Sequence, residues 1–94
     1  MLFTPDRIYV KDIVERLQEI KLIKNVHHVH IWQLNEDEIH FEAHIDFEDD
    51  ILLSQFEVIL KQIEEIAYHD FGINHVNIQP EYKKGDSKDL IVQD

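Results

Sequence analysis

The sequence predicts a two-layer α+β domain, with two amphipathic helices laid on one face of a three-stranded mixed sheet. Three observations carry that prediction. Residues 39–47, IHFEAHIDF, alternate apolar and polar without a break. Two longer segments repeat apolar residues at the spacing of a helix face, and two short stretches near 26–34 and 75–82 are rich in β-branched residues. The chain has 94 residues, enough for one hydrophobic core, and only two Gly and two Pro interrupt it.

Along the chain, Thr4 before Pro5 reads as a helix N-cap followed by proline at the first helical position. Val10, Ile13, Val14, Leu17 and Ile20 then mark one face of a helix ending near 21–24. VHHVHIWQL, residues 26–34, reads as a strand, and Asn35 to Glu38 as a polar turn. The strictly alternating segment puts Ile39, Phe41, Ala43, Ile45 and Phe47 on one side, with His40, Glu42, His44 and Asp46 on the other. It is a half-buried strand, closing a hairpin with the one before it.

Glu48, Asp49 and Asp50 are expected to supply an N-cap and acidic first turn for a long helix. Its face runs from Leu52 to Ala67, and Gly72 is its left-handed cap, with His69 in the last turn. HVNIQPEY turns Val76 and Ile78 inward, and Pro80 suits an edge strand. The tail from residue 83 onward shows no periodicity and is expected to be loose. A right-handed crossover lays the last strand parallel to the second, which becomes central.

Twenty acidic residues against nine basic ones give a net charge of −11. That sign repels phosphate backbones, so nucleic acid is excluded as a partner, and it attracts cations. Cysteine is absent, which removes disulfides, thiol catalysis and Cys-type zinc sites together. HExxH, C-x-x-C and a Gly-rich phosphate loop are absent too, and no nucleophile–base pair is evident, so an enzyme has no support. Seven histidines among so many carboxylates point to a divalent metal.

Alternation sends His28, His30, Trp32 and Leu34 to the sheet face away from the helices. His40, Glu42, His44 and Asp46 join them from the second strand, and His75, Asn77, Gln79 and Glu81 from the third. Imidazoles and carboxylates on adjacent strands are close enough to share one ion. Trp32 and Leu34 on that face need a cover, either the C-terminal tail or a second copy of the chain.

VHHVHIWQL, EAHIDF and FGINHVNIQPE, in that order after a short helix, resemble the cytoplasmic C-terminal domain of cation diffusion facilitator transporters. That family typically shows a V-H-x-L-H-x-W-x-L strand, an A-H strand and an F-G-I-x-H-x-T-I-Q-x-E ending. The likeness covers about residues 10–82 of this sequence. It implies an αββαβ metallochaperone-like (ferredoxin-like) domain, homodimeric, beneath a transmembrane zinc/proton antiporter on the cytoplasmic side of the membrane. Metal binding there favours a closed arrangement of the two domains and regulates transport. The resemblance implies that His27, His44 and Glu81 share a zinc ion, with water or a group of the second subunit as fourth ligand, and that His75 joins a neighbouring site.

His28 and His30 are held as reserve ligands, and Asp46 as a carboxylate that orients an imidazole. Alternation alone puts His28 opposite His44 and His27 on the helix side. The family placement of His27 therefore requires the alternation to break at the strand entrance. The family's T-I-Q is N-I-Q here, and Gln79 stands where some members carry histidine. Residues 1–9 are expected to lead in from an absent transmembrane region, 10–82 to form the regulatory domain, and 83–94 to be a flexible tail. Zn2+ is the default ion, with Cd2+, Co2+, Ni2+, Mn2+ and Fe2+ also compatible with these ligands. The alternatives are a metal-independent dimerisation module and a small-molecule-sensing domain.

Overall fold

The computed structural model describes residues 10–83; the lead-in with Thr4 and Pro5, and all of the tail after Lys83, lie outside the described residues. The elements run α1 (Val10–Gln18), β1 (Ile23–Asn35), β2 (Glu38–Phe47), α2 (Leu53–Phe71) and β3 (His75–Glu81). The sheet order is β1-β2-β3, with β1 antiparallel and β3 parallel to the central β2, as the sequence predicts.

Helix α1 is shorter than its periodicity suggests. It stops at Gln18, and the chain bends through Ile20 and Leu22, where the Ile23 N–H donates to the Ile20 carbonyl at 3.2 Å. Leu22 sits at φ 80°, a left-handed conformation that reverses the chain into β1. Residues 21–24 therefore belong to the turn and to β1, which begins three residues earlier than expected.

One core lies between helices and sheet. Ile13 and Leu17 of α1 and Ile63 and Ala67 of α2 are fully buried against Phe41, Ala43 and Ile45 of β2. The alternation of β2 thus does what the sequence predicts: its odd-numbered apolar side chains face the helices. Arg16 joins the helices at the surface, donating to Asp70 from Nε and from Nη2 (2.9 Å) and to Glu19 from Nη1 at 2.9 Å.

The start of α2 differs from the expectation. Glu48, Asp49 and Asp50 precede the helix and do not cap it; the N-cap is Leu52, whose N–H donates to Gln55 Oε1 at 2.8 Å. The acidic run mimics a cap in composition, but the chain bends at Glu48 and Asp49 and the extended residue that opens the helix is Leu52. The far end agrees with the reading. Gly72 adopts φ 72°, its N–H reaches the Tyr68 carbonyl at 3.0 Å, and the Ile73 N–H reaches that of Ala67 at 2.9 Å.

Two devices fix the sheet register. Asn35 pairs with Glu38 across a two-residue turn, and Asn35 Oδ1 accepts the Asp37 N–H at 2.8 Å. Asn74, just before β3, clamps onto the same corner. Its N–H donates to the Ile39 carbonyl at 3.2 Å, its Oδ1 accepts the Ile39 N–H at 3.0 Å, and its Nδ2 donates to the Asp37 carbonyl. The parallel strand therefore enters beside the first residues of β2.

Candidate metal centre

The outer sheet face is set by a β-bulge. His27 pairs with His44 and His30 with Glu42, so two residues of β1, His28 and Val29, oppose Ala43 alone. His28 takes φ 52° to make this possible. The extra residue resets the alternation: Val29 and Ile31 are buried toward the helices, while His27 and His30 lie in rows with the outer residues of β2. This corrects the alternation reading. His27, not His28, is the register partner of His44; the His28 ring instead stacks on that of His44, 4.6 Å between centroids.

At this end of the sheet the sequence builds a buried polar cluster. His27 is fully buried, and Asp46 and Glu81, register partners across β2 and β3, are nearly so. His27 Nε2 lies 3.1 Å from Glu81 Oε1, and His44 Nδ1 lies 2.8 Å from Glu81 Oε2. One carboxylate thus bridges two imidazoles from two other strands. Gln79 Nε2 donates to Glu81 Oε2 at 3.0 Å and steadies it. On the far side of the His27 ring, Nδ1 faces Asn25 Nδ2 at 3.3 Å and Asp46 Oδ2 at 3.6 Å.

The donor set suits a divalent ion. His27, His44 and Glu81 offer ligand atoms that lie within 4.8 Å of one another, and two imidazoles with one carboxylate are borderline donors of the kind zinc takes. Two carboxylates, Asp46 and Glu81, are buried side by side. Charge in that position needs a positive counterpart, and a dication supplies it. With the His27 proton on Nε2, the ring donates to Glu81. With it on Nδ1, Nε2 offers a lone pair and Asp46 stands where an acceptor is needed, the usual support of a metal-bound imidazole.

His75 is not part of this cluster. It lies at the other end of β3, in one row with His40 and Trp32. Its Nε2 is 3.7 Å from Glu38 Oε2, and His40 Nε2 is 3.5 Å from the same oxygen. A hydrogen bond from Asn35, then the His40 imidazole beside it, hold the Glu38 carboxyl below the usual carboxylate range. The sequence puts His40 and His75 on one face and assigns Glu38 to the turn. Only the register of the hairpin and of the parallel pair reveals that the three side chains meet.

Comparison with known proteins identifies the family. A family model described as "Cation efflux protein, cytoplasmic domain" matches residues 5–83. The proton-coupled zinc antiporter SLC30A1 of Rattus norvegicus is 34% identical over 94% of this chain, which spans 17% of that protein. The cadmium, cobalt and zinc/H(+)-K(+) antiporter of Bacillus subtilis (strain 168) is 36% identical over 83% of the chain and 25% of its own length. Among solved structures, the metal-bound C-terminal domain of the CzcD transporter from Cuprividus metallidurans superposes with a TM-score of 0.66 at 24% identity, covering 79% of this chain and 99% of that one. That likeness shows the fold. With the family model spanning all of the described residues, the chain belongs to the cation efflux protein family and corresponds to its cytoplasmic domain.

Proposed function

We propose that this domain is the metal-sensing regulatory part of a divalent-cation efflux transporter, homodimeric, with His27, His44 and Glu81 as ligands of a zinc-type ion. The observation that carries the proposal is the convergence of donors from three strands on one buried carboxylate, Glu81. Binding an ion there neutralises carboxylate charge on a face that also carries Trp32, and so favours close approach of a second copy. Transport would respond through the angle between the two domains.

The ligand set supports zinc, with Cd2+, Co2+, Ni2+, Mn2+ and Fe2+ as competitors. The antiporters of the rat and of Bacillus subtilis are named for zinc, and the latter for cadmium and cobalt too. This family's work is moving cations, and no catalytic residue is proposed. The membrane-spanning region of the same transporter is the natural partner, which puts the domain on the cytoplasmic side.

Calorimetric titration of the chelator-treated protein with Zn2+, with small-angle scattering read at each step, tests both halves. Tight binding that is lost in His44→Ala, with a more compact scattering profile at saturation, is expected. Unaltered binding in His44→Ala overturns the ligand assignment; an unchanged profile points to a metal-independent dimerisation module.

A further inference from the structure

We infer that Glu38, His40 and His75 form a second, separate metal centre at the opposite end of the sheet face, taking a borderline dication such as Zn2+. It stands on its own observations and does not rest on the His27 centre.

The first is donor spacing. Ligand atoms at tetrahedral corners about 2.0–2.1 Å from an ion lie about 3.3–3.4 Å from one another. His40 Nε2 and His75 Nε2 are 3.5 Å and 3.7 Å from Glu38 Oε2, so two of the three edges are within a few tenths of an ångström of that figure. All three donors fall within 4.8 Å of one another.

The second is that each donor is held from behind. Asn35 Nδ2 donates to the other Glu38 oxygen, Oε1, at 3.1 Å, leaving Oε2 turned to the imidazoles. The His40 ring lies between two parallel rings, Trp32 at 5.1 Å and His75 at 4.2 Å between centroids. Asn74 fixes the backbone one residue before His75 onto Ile39, one residue before His40. The third observation is that His40 Nε2, sealed from solvent although its residue is not, makes no hydrogen bond. A ring nitrogen in that position is held toward Glu38 without being satisfied, which an ion would correct.

His40 and His44 are four residues apart on β2, so the two centres lie about 13 Å apart, too far to share a ligand. His75 is about half exposed and Glu38 nearly as much, so this centre keeps an open position toward solvent and binds more weakly than the buried one. The parallel stack of the two imidazoles must open slightly for both nitrogens to meet one ion, which also lowers affinity.

The experiment is a Zn2+ titration of the chelator-treated protein, followed by calorimetry and by imidazole nitrogen NMR. Two equivalents per chain are expected in the native protein, the weaker step moving the His40 and His75 signals. His75→Ala should lose the weaker equivalent and keep the tighter, and His44→Ala should do the reverse, so failure of one centre is read apart from failure of the other. Stationary His40 and His75 signals at saturating Zn2+, or a stoichiometry in His75→Ala equal to that of the native chain, would overturn the inference. The NMR readout on the native chain needs no variant to fold.

Discussion

Which nitrogen of His27 carries its proton decides what the buried cluster does. With the proton on Nε2 the ring donates to Glu81, 3.1 Å away; the proposed ligation through Nε2 needs it on Nδ1, 3.6 Å from Asp46. Asp46→Asn replaces that charged acceptor with a neutral amide without touching a proposed ligand. It should weaken Zn2+ affinity about 10–100-fold at unchanged stoichiometry, measured by competition with a chelator. Protons compete with metal for imidazole nitrogens, so affinity should also drop steeply between about pH 7.5 and about pH 5.5; calorimetry at both values checks it. Glu38 adds a separate, metal-free signal. Its carboxyl is held low by Asn35 and His40, so its contribution to stability is present above its unfolded value and vanishes as pH falls through the folded one. Glu38→Gln should be less stable than the native chain near pH 7, with the gap closing below about pH 4.3 in urea denaturation.

Among the elements, β1 and α2 show what a sequence declares and what it hides. The alternation of β2 and the glycine ending α2 are both visible, because side-chain period and left-handed φ leave compositional traces. Gly72→Ala should cost about 1–2 kcal/mol in equilibrium unfolding, from conformation alone, since a Cβ there meets no atom within 4 Å. The bulge leaves no such trace. Its left-handed residue is His28, not glycine, so the residue order alone suggests an unbroken alternation that makes His28 rather than His27 the register partner of His44. His28→Val should be destabilising by about 1–2 kcal/mol, whereas His28→Gly should keep the bulge and the metal affinity. The acidic run before α2 misleads in the opposite way, carrying a cap's composition without its geometry. Glu38 was hidden for a third reason: a parallel register depends on a crossover helix, and no local pattern encodes where His75 comes to rest.

For the whole molecule, charge opposes self-association. Two copies at −11 each repel, and each bound dication reduces that charge by two. In chelator, self-association should tighten as salt rises from about 50 to about 500 mM, because screening shortens the repulsion; sedimentation measures it. The seam between β2 and β3 carries a further consequence. Both donor sets straddle it, Glu81 at one end and His75 at the other, with their partners on β1 and β2. β3 is an edge strand, and Pro80 has no N–H to offer as a donor. Ions at the two ends would act as rivets through an otherwise lightly fastened margin, and amide hydrogen exchange along His75 to Glu81 should slow on metal addition while that of α1 stays as it was.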